Sequence, residues 1–241
     1  MASNYDNSAW FYDSLSRLVF GWALINAQVY LLKYIPPNTH ILIAGGGTGW
    51  ILEEITRIHP AGLHITYVEI SAKMLARSKK RNYAENSVNF INQPVERIDT
   101  NHQFDIILTA FLFDNFSAKT TQKVFVHLTP LLKKEGLWLN TDFQLTGKWW
   151  QNVLTRSMLL FFKVLCKIES RVLPDIEKSF EINGYKATHH KTFFNGFMFK
   201  DNSSNPVHLL NVSSNSFKCD YVKNFDRFFG HILDPIRQMK A

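Results

Sequence analysis

The chain has 241 residues, 27 Lys and Arg against 20 Asp and Glu, a net charge of +7, and 46% apolar residues. That apolar share can fill one sizeable buried core and excludes disordered or collagen-like chains; 11 Gly and 8 Pro are an ordinary load. The two cysteines, Cys166 and Cys219, are too few for a disulfide scaffold or a structural zinc site of their own, and read as reduced thiols of a cytoplasmic protein.

Met1 to Trp10 is polar and lacks the basic start and apolar centre of a signal peptide, which again points to the cytoplasm. No apolar run approaches the roughly 20 residues that span a bilayer: Leu18 to Ile25 stops at Asn26, and Met158 to Cys166 is broken by Lys163. The densest basic stretch, Lys73 to Arg81, reads as a solvated helix face. No aromatic RNA-binding signature accompanies it, so no nucleic-acid partner is expected.

Phe11, Leu15, Leu18, Val19, Trp22, Ala23, Ile25 and Leu31 recur at helical spacing and predict one or two amphipathic helices before Pro36-Pro37, a helical cap over residues 1–38. Ile41-Leu42-Ile43-Ala44 is a short continuous apolar run ending in glycines, as expected for a strand buried on both faces. A helix is predicted from Trp50 to Ile58, a strand over Leu63–Ile70, a helix from Ser71 to Arg81, and strands at Val88–Asn92 and Phe104–Thr109. A helix over Ala118–Leu132 then leads into a strand at Leu137–Thr141. Alternation at this spacing means a parallel sheet with right-handed crossovers, a doubly wound α/β domain over residues 39–200.

Beyond Asp142 the pattern changes. A largely apolar segment from Trp149 to Ile168 lies in an insert spanning 144–174, and a helix follows near Asp175–Asn183. Two strand-like runs, Tyr185–Thr192 and Gly196–Lys200, are joined by Asn195-Gly196, a hairpin signal. Residues 201–241 read as a helical extension, with Phe225, Phe228, Phe229 and Ile232 at helical spacing in Tyr221–Leu233.

The sharpest feature is Ala44-Gly45-Gly46-Gly47-Thr48-Gly49, where the first strand turns into its helix. Absent side chains there let backbone N–H groups approach a ligand, and the helix N-terminus favours a negative group. A dinucleotide fingerprint needs Gly-x-Gly-x-x-Gly, and Trp50 stands where its third Gly would be; the spacing is instead Gly45-x-Gly47-x-Gly49.

That spacing, with Glu69 ending the second strand, resembles the class I S-adenosylmethionine-dependent methyltransferases. The likeness runs from about Tyr12 to Lys200. It passes through Ile41 to Gly49, Tyr67-Val68-Glu69-Ile70-Ser71 with Met74-Leu75, Phe104-Asp105-Ile106-Ile107, and Leu131-Leu132-Lys133-Lys134-Glu135-Gly136. The resemblance implies a Rossmann-like, mostly parallel seven-stranded sheet with a C-terminal β-hairpin and added helices, S-adenosyl-L-methionine as cofactor, and a small-molecule methyl acceptor.

On the same resemblance Gly45, Gly46, Gly47, Thr48 and Gly49 would pack on the methionine part of the cofactor, and Tyr12 would be a further cofactor-binding residue. The Glu69 carboxylate would take both ribose hydroxyls. Ile70, Met74, Pro94 and Val95 would enclose the adenine, and Thr109 and Ala110 would lie beneath the sulfonium at the ligand end of the fourth strand. Two positions depart from the family: Ile43 stands where an acid usually helps hold the cofactor's amino group, and Pro94 where an acid usually approaches the adenine amine. Asp13 or a backbone carbonyl is then the expected substitute for the first.

Asp105 lies at the far end of its strand and reads as structural, whereas Asp114 is a candidate for the pocket rim. The nine His give no metal site, because adjacent His189 and His190 on a strand point to opposite faces. Trp149-Trp150 and Phe161-Phe162 read as core or lid packing. Methyl transfer asks mainly for in-line placement of the acceptor and exclusion of water, so no fixed catalytic residue is searched for. Acceptor choice falls to Trp10-Phe11-Tyr12-Asp13 and to the apolar insert, which suits a partly apolar small molecule. Two alternatives stay open: a spermidine synthase-like aminopropyltransferase, and a non-catalytic binding module. For the latter, Met158–Cys166 and Phe225–Leu233 allow a peripheral membrane contact.

Overall fold

A computed structural model describes residue 6 and residues 12–166, 168, 170 and 172–204. The extension read over 205–241, including the apolar stretch Tyr221–Leu233, lies outside the described residues.

Two helices, α1 (Tyr12–Phe20) and α2 (Ala23–Leu32), precede the sheet. Strand β1 (His40–Ala44) is buried from Ile41 onward, as its unbroken apolar run requires of a central parallel strand. In α3 (Trp50–Ile58), Ile51, Leu52 and Ile55 are buried at helical spacing while Glu54 and Arg57 pair on the outside. Strand β2 (Ala61–Val68) and α4 (Ala72–Ser78) follow, and the Ser71 hydroxyl caps α4 by accepting the Met74 N–H at 3.2 Å.

Next come β3 (Glu85–Ile91), β4 (Phe104–Ala110), α5 (Ala118–Leu128) and β5 (Leu132–Phe143). The chain ends its described course with α6 (Trp149–Cys166), α7 (Ile176–Ile182), β6 (Lys186–Phe193) and β7 (Met198–Ser204). The hairpin read at Asn195-Gly196 is present: β6 and β7 are antiparallel and turn through Phe194–Phe197, with Phe194, Asn195 and Gly196 all at positive φ.

One seven-stranded sheet has the order β3-β2-β1-β4-β5-β7-β6. β1 pairs in parallel with both β2 and β4, β4 with β5, and β7 alone runs antiparallel to its neighbours. Alternate residues of β1 feed opposite faces. Leu42 and Ala44 join Trp138, Phe125, Phe180 and Phe199 on one side, and Ile41 and Ile43 join Leu31, Leu52, Ile55 and Leu139 on the other. The order reverses between β1 and β4, and in open α/β sheets the crevice at such a switch point, beyond the carboxyl ends of the strands, is where ligands bind.

Candidate functional site

A cleft opens there, walled by the loops that follow β1, β2 and β4. Its floor is the loop after β1. Gly47 holds φ +66, a left-handed conformation that costs glycine nothing, and this turns its N–H toward the end of β2. Gly46 leaves no room for a side chain: a Cβ there would collide with the buried ring of Tyr67, whose hydroxyl donates to the Gly47 carbonyl at 3.0 Å. Burial, with the charge of Glu69 adding to it, pushes the Tyr67 phenol well above its ordinary range, so it stays a donor.

Glu69, two residues after Tyr67, is buried yet lines the cleft. Its Oε2 accepts the Gly47 N–H at 2.9 Å and its Oε1 the Ser71 N–H at 2.7 Å. Burial pushes the carboxyl up from its usual range, and the backbone N–H groups of Ser71, Gly47 and Ile70 pull it down. The carboxylate is thereby fixed in one orientation.

Asp13 on α1 reaches the same loop. Thr48 Oγ1 lies 2.8 Å and 3.0 Å from its two carboxylate oxygens, and Arg81 Nη2 lies 3.5 Å from Oδ2. Arg81 Nε also donates to the Thr48 carbonyl at 3.1 Å, and its Nη1 approaches Glu53 at 3.4 Å. The last residue of the basic stretch is therefore a clamp rather than part of a solvated face.

Of the residues read from the sequence, Gly45, Gly46, Gly47, Thr48, Glu69, Ile70, Met74, Pro94, Val95 and Ala110 line this one cleft. Gly49 and Thr109 do not. Gly49 packs on α4, where a Cβ would stand 2.5 Å from that of Ser78. Thr109 is buried toward β5; its hydroxyl donates to Asn140 Oδ1 at 2.9 Å and accepts the Trp138 indole N–H at 2.9 Å. The Tyr12 side chain lies outside the described residues. Ile43 and Asp13 both line the cleft.

Sequence reasoning missed Gln28, which reaches the cleft from α2, and Phe111, Leu112, Asn115 and Phe116, which form the wall beyond β4. Phe111 sits at φ +51, a rare conformation for an aromatic residue that marks a constrained turn at this rim. Its ring rests on Phe143 with centroids 4.9 Å apart. Asp114, read as a rim residue, is instead buried beside Asp142. Burial, and then the charge of Asp142, push the Asp114 carboxyl well up; burial pushes Asp142 up to about 7 although it accepts the N–H groups of Phe143 and Phe113 at 2.8 Å and 3.0 Å. Asp105 is structural as expected. Its carboxylate accepts the His40 N–H at 2.9 Å and pairs with Lys133 at 2.6 Å, which hold it low against burial.

A family model described as a methyltransferase domain matches residues 41–136, the stretch that builds the cleft from β1 into β5. The matched residues carry the glycine loop and Glu69, on which the resemblance to the S-adenosylmethionine-dependent methyltransferases rests. A malonyl-[acyl-carrier protein] O-methyltransferase of Bacillus cereus is 30% identical over 106 residues, 44% of this chain and 38% of that enzyme. A polyamine aminopropyltransferase of Desulforudis audaxviator is 38% identical over 65 residues, 24% of this chain and 23% of that enzyme. The matched chain thus spans well under half the length of these curated relatives.

Among solved structures, the chain shares its fold with a Burkholderia thailandensis 1,6-didemethyltoxoflavin-N1-methyltransferase, with bound 1,6-didemethyltoxoflavin and S-adenosylhomocysteine. The TM-score is 0.59 at 13% identity, covering 82% of this chain and 84% of that one. Human N-acetylserotonin methyltransferase in complex with SAM superposes at a TM-score of 0.59 and 15% identity, over 82% of this chain and 55% of that one.

Proposed function

We propose that the protein is an S-adenosylmethionine-dependent methyltransferase acting on a small, partly apolar acceptor. The observation that carries this reading is the buried Glu69 carboxylate, locked by the N–H groups of Gly47 and Ser71 and lining the cleft beside the glycine loop.

The chain's donor set fits the cofactor. Glu69 would accept the ribose hydroxyls and would repel a 2′-phosphate. Ile70, Pro94 and Val95 offer an apolar slot for the adenine, and Gly47, where a Cβ would meet nothing within 4 Å, leaves space at the loop for the methionine part. Asp13, held in place by Thr48 and Arg81, stands at the loop where a carboxylate would meet a cationic amine. When bound, S-adenosylmethionine supplies a methyl group on a good leaving group, so the protein's task is placement and the exclusion of water. Phe111, Leu112 and Phe116 give the acceptor side an apolar wall, with Gln28, Asn115 and Thr120 as its polar points. That lining suits an aromatic or aliphatic molecule with one nucleophilic heteroatom.

Transfer of labelled methyl from S-adenosylmethionine to a panel of small hydroxylated and aminated aromatics tests the reading. We expect label in at least one such acceptor, and a raised KM with less change in kcat for Phe116→Ala. Transfer of an aminopropyl group from the decarboxylated cofactor to putrescine, with no methyl transfer, would overturn it in favour of the aminopropyltransferase alternative.

A further inference from the structure

Helix α6 is amphipathic in an unusual sense. Its inner side buries Leu154, Met158 and Leu159 together with Gln151 and Thr155. Its outer side, where a surface helix normally carries polar residues, presents Trp149, Val153, Leu160 and Val164, which are 70%, 42%, 65% and 72% exposed. At about 100° per residue these four fall within an arc of about 60°. Arg156 and Lys163 border one edge of that arc.

The helix and its flanks carry charge of a single sign: residues 143–168 contain no Asp or Glu. Lys148 bonds, among the described residues, to the uncharged Asn195, through its carbonyl and its Oδ1, both at 2.8 Å. Among the described residues no carboxylate pairs with Arg156 or Lys163. An exposed apolar stripe edged by unpaired cations is the pattern of a helix that lies in a lipid interface, and tryptophan at its end is the residue that favours such a boundary. No described helix is long and apolar enough to cross a membrane, so the orientation would be along the surface.

We propose that the outward face of α6 docks the protein on an anionic lipid bilayer, with the Trp149–Val164 stripe among the headgroups and upper acyl chains and Arg156 and Lys163 on lipid phosphates. Other occupants match the face less well. A second copy meeting it isologously would bring the same cations together with no acid between them. The chain's own residues 205–241 carry five Lys or Arg against three Asp, so they add positive charge rather than cancel it. A bilayer containing acidic lipids supplies both the apolar medium and the missing negative charge.

Flotation of the full chain with vesicles tests this, using phosphatidylcholine mixed with phosphatidylglycerol and phosphatidylcholine alone. We expect flotation with the mixed vesicles at low salt, weakening as salt rises, and little with the neutral ones. Each cation near an acidic surface strengthens binding about fivefold, so Arg156→Glu/Lys163→Glu should lower partitioning by at least about 30-fold. Leu160→Ser/Val164→Ser should lower it by about tenfold through lost apolar burial. Both variants change exposed positions and should keep the parent's circular dichroism and S-adenosylhomocysteine binding. Flotation by both variants equal to the parent's would overturn the proposal. So would its absence on the mixed vesicles, whether a second copy, seen as a dimer by light scattering, or the chain's own C-terminal segment then covers the stripe.

Discussion

Gly46 and Tyr67 show how a single missing atom positions a binding loop. The Tyr67 ring occupies the space a Cβ would need, and its hydroxyl ties down the carbonyl of Gly47, whose N–H in turn orients Glu69. Gly46→Ala must displace the ring or the loop, which costs roughly 1–3 kcal/mol as overpacking. We expect a lower urea midpoint and loss of S-adenosylhomocysteine binding in this variant; unchanged binding would show that the loop tolerates the shift. Tyr67→Phe removes the bond donated to Gly47, about 1 kcal/mol, and the hydroxyl's bond with Ser78, and should weaken binding by less than tenfold in the same titration. Neither role was legible beforehand, because Tyr67 looks in sequence like one more apolar strand residue.

Among the elements, α1 is attached to the domain through polar groups at the glycine loop: Asp13 to Thr48, and Arg81 to Asp13, Thr48 and Glu53. Partly exposed ion pairs contribute little to global stability, typically below about 1 kcal/mol, yet here they hold the first turn of α1 at the loop, while Phe20 at its other end packs on Phe143. Arg81→Ala should therefore leave the unfolding midpoint nearly unchanged and accelerate amide exchange in residues 12–20. Exchange in β1 and β4 should stay as slow as in the parent. Equal protection of α1 in both proteins would mean that its apolar side, not the clamp, holds it.

Element boundaries show which forces the sequence displays. The run Ile41–Ala44 identifies β1 because burial on both faces leaves its mark on every residue. By contrast, β5 extends from Leu132 to Phe143, well beyond the predicted Leu137–Thr141, because it is flanked by β4 on one side and antiparallel β7 on the other. Helix α5 stops at Leu128 rather than Leu132, where Thr129-Pro130 tightens into a 3-10 turn. Trp149 and Phe161, read as packing residues, are exposed, while Trp150 packs edge-on against Phe194 and Phe197.

At the scale of the whole molecule, the glycine loop and Glu69 were readable because both answer to local backbone geometry at a strand end. The Asp13 and Arg81 contacts to Thr48 were not, since they join residues 35 and 33 positions apart. The buried pair Asp114 and Asp142 was hidden for the same reason, and it gives the fold a pH dependence. Both carboxyls are raised above an unfolded value of about 3.9, so the folded state holds protons that the unfolded chain releases. Their contribution favours folding most below about pH 4 and is lost as pH rises toward the folded value of about 7 for Asp142. Asp114→Asn removes one charge while keeping an oxygen for the Asn115 side-chain N–H, now 2.7 Å away. It should raise stability near pH 8 by about 1–2 kcal/mol and flatten the decline across this window. Urea midpoints measured against pH would show it, and parallel curves for the two proteins would count against a buried pair of mutually repelling carboxyls.

The central claim is that Glu69 and the glycine loop form a site for the adenosyl cofactor. Calorimetric titration with S-adenosylhomocysteine, repeated on Glu69→Ala and with NAD as a control ligand, tests it most directly. Hydrogen bonds to a carboxylate contribute about 1.5–3 kcal/mol each, so losing two should weaken binding by at least about 100-fold. Micromolar binding by the parent, that loss in the variant, and no response to NAD are the predicted results. No binding by the parent, or equal binding by Glu69→Ala, would contradict the assignment.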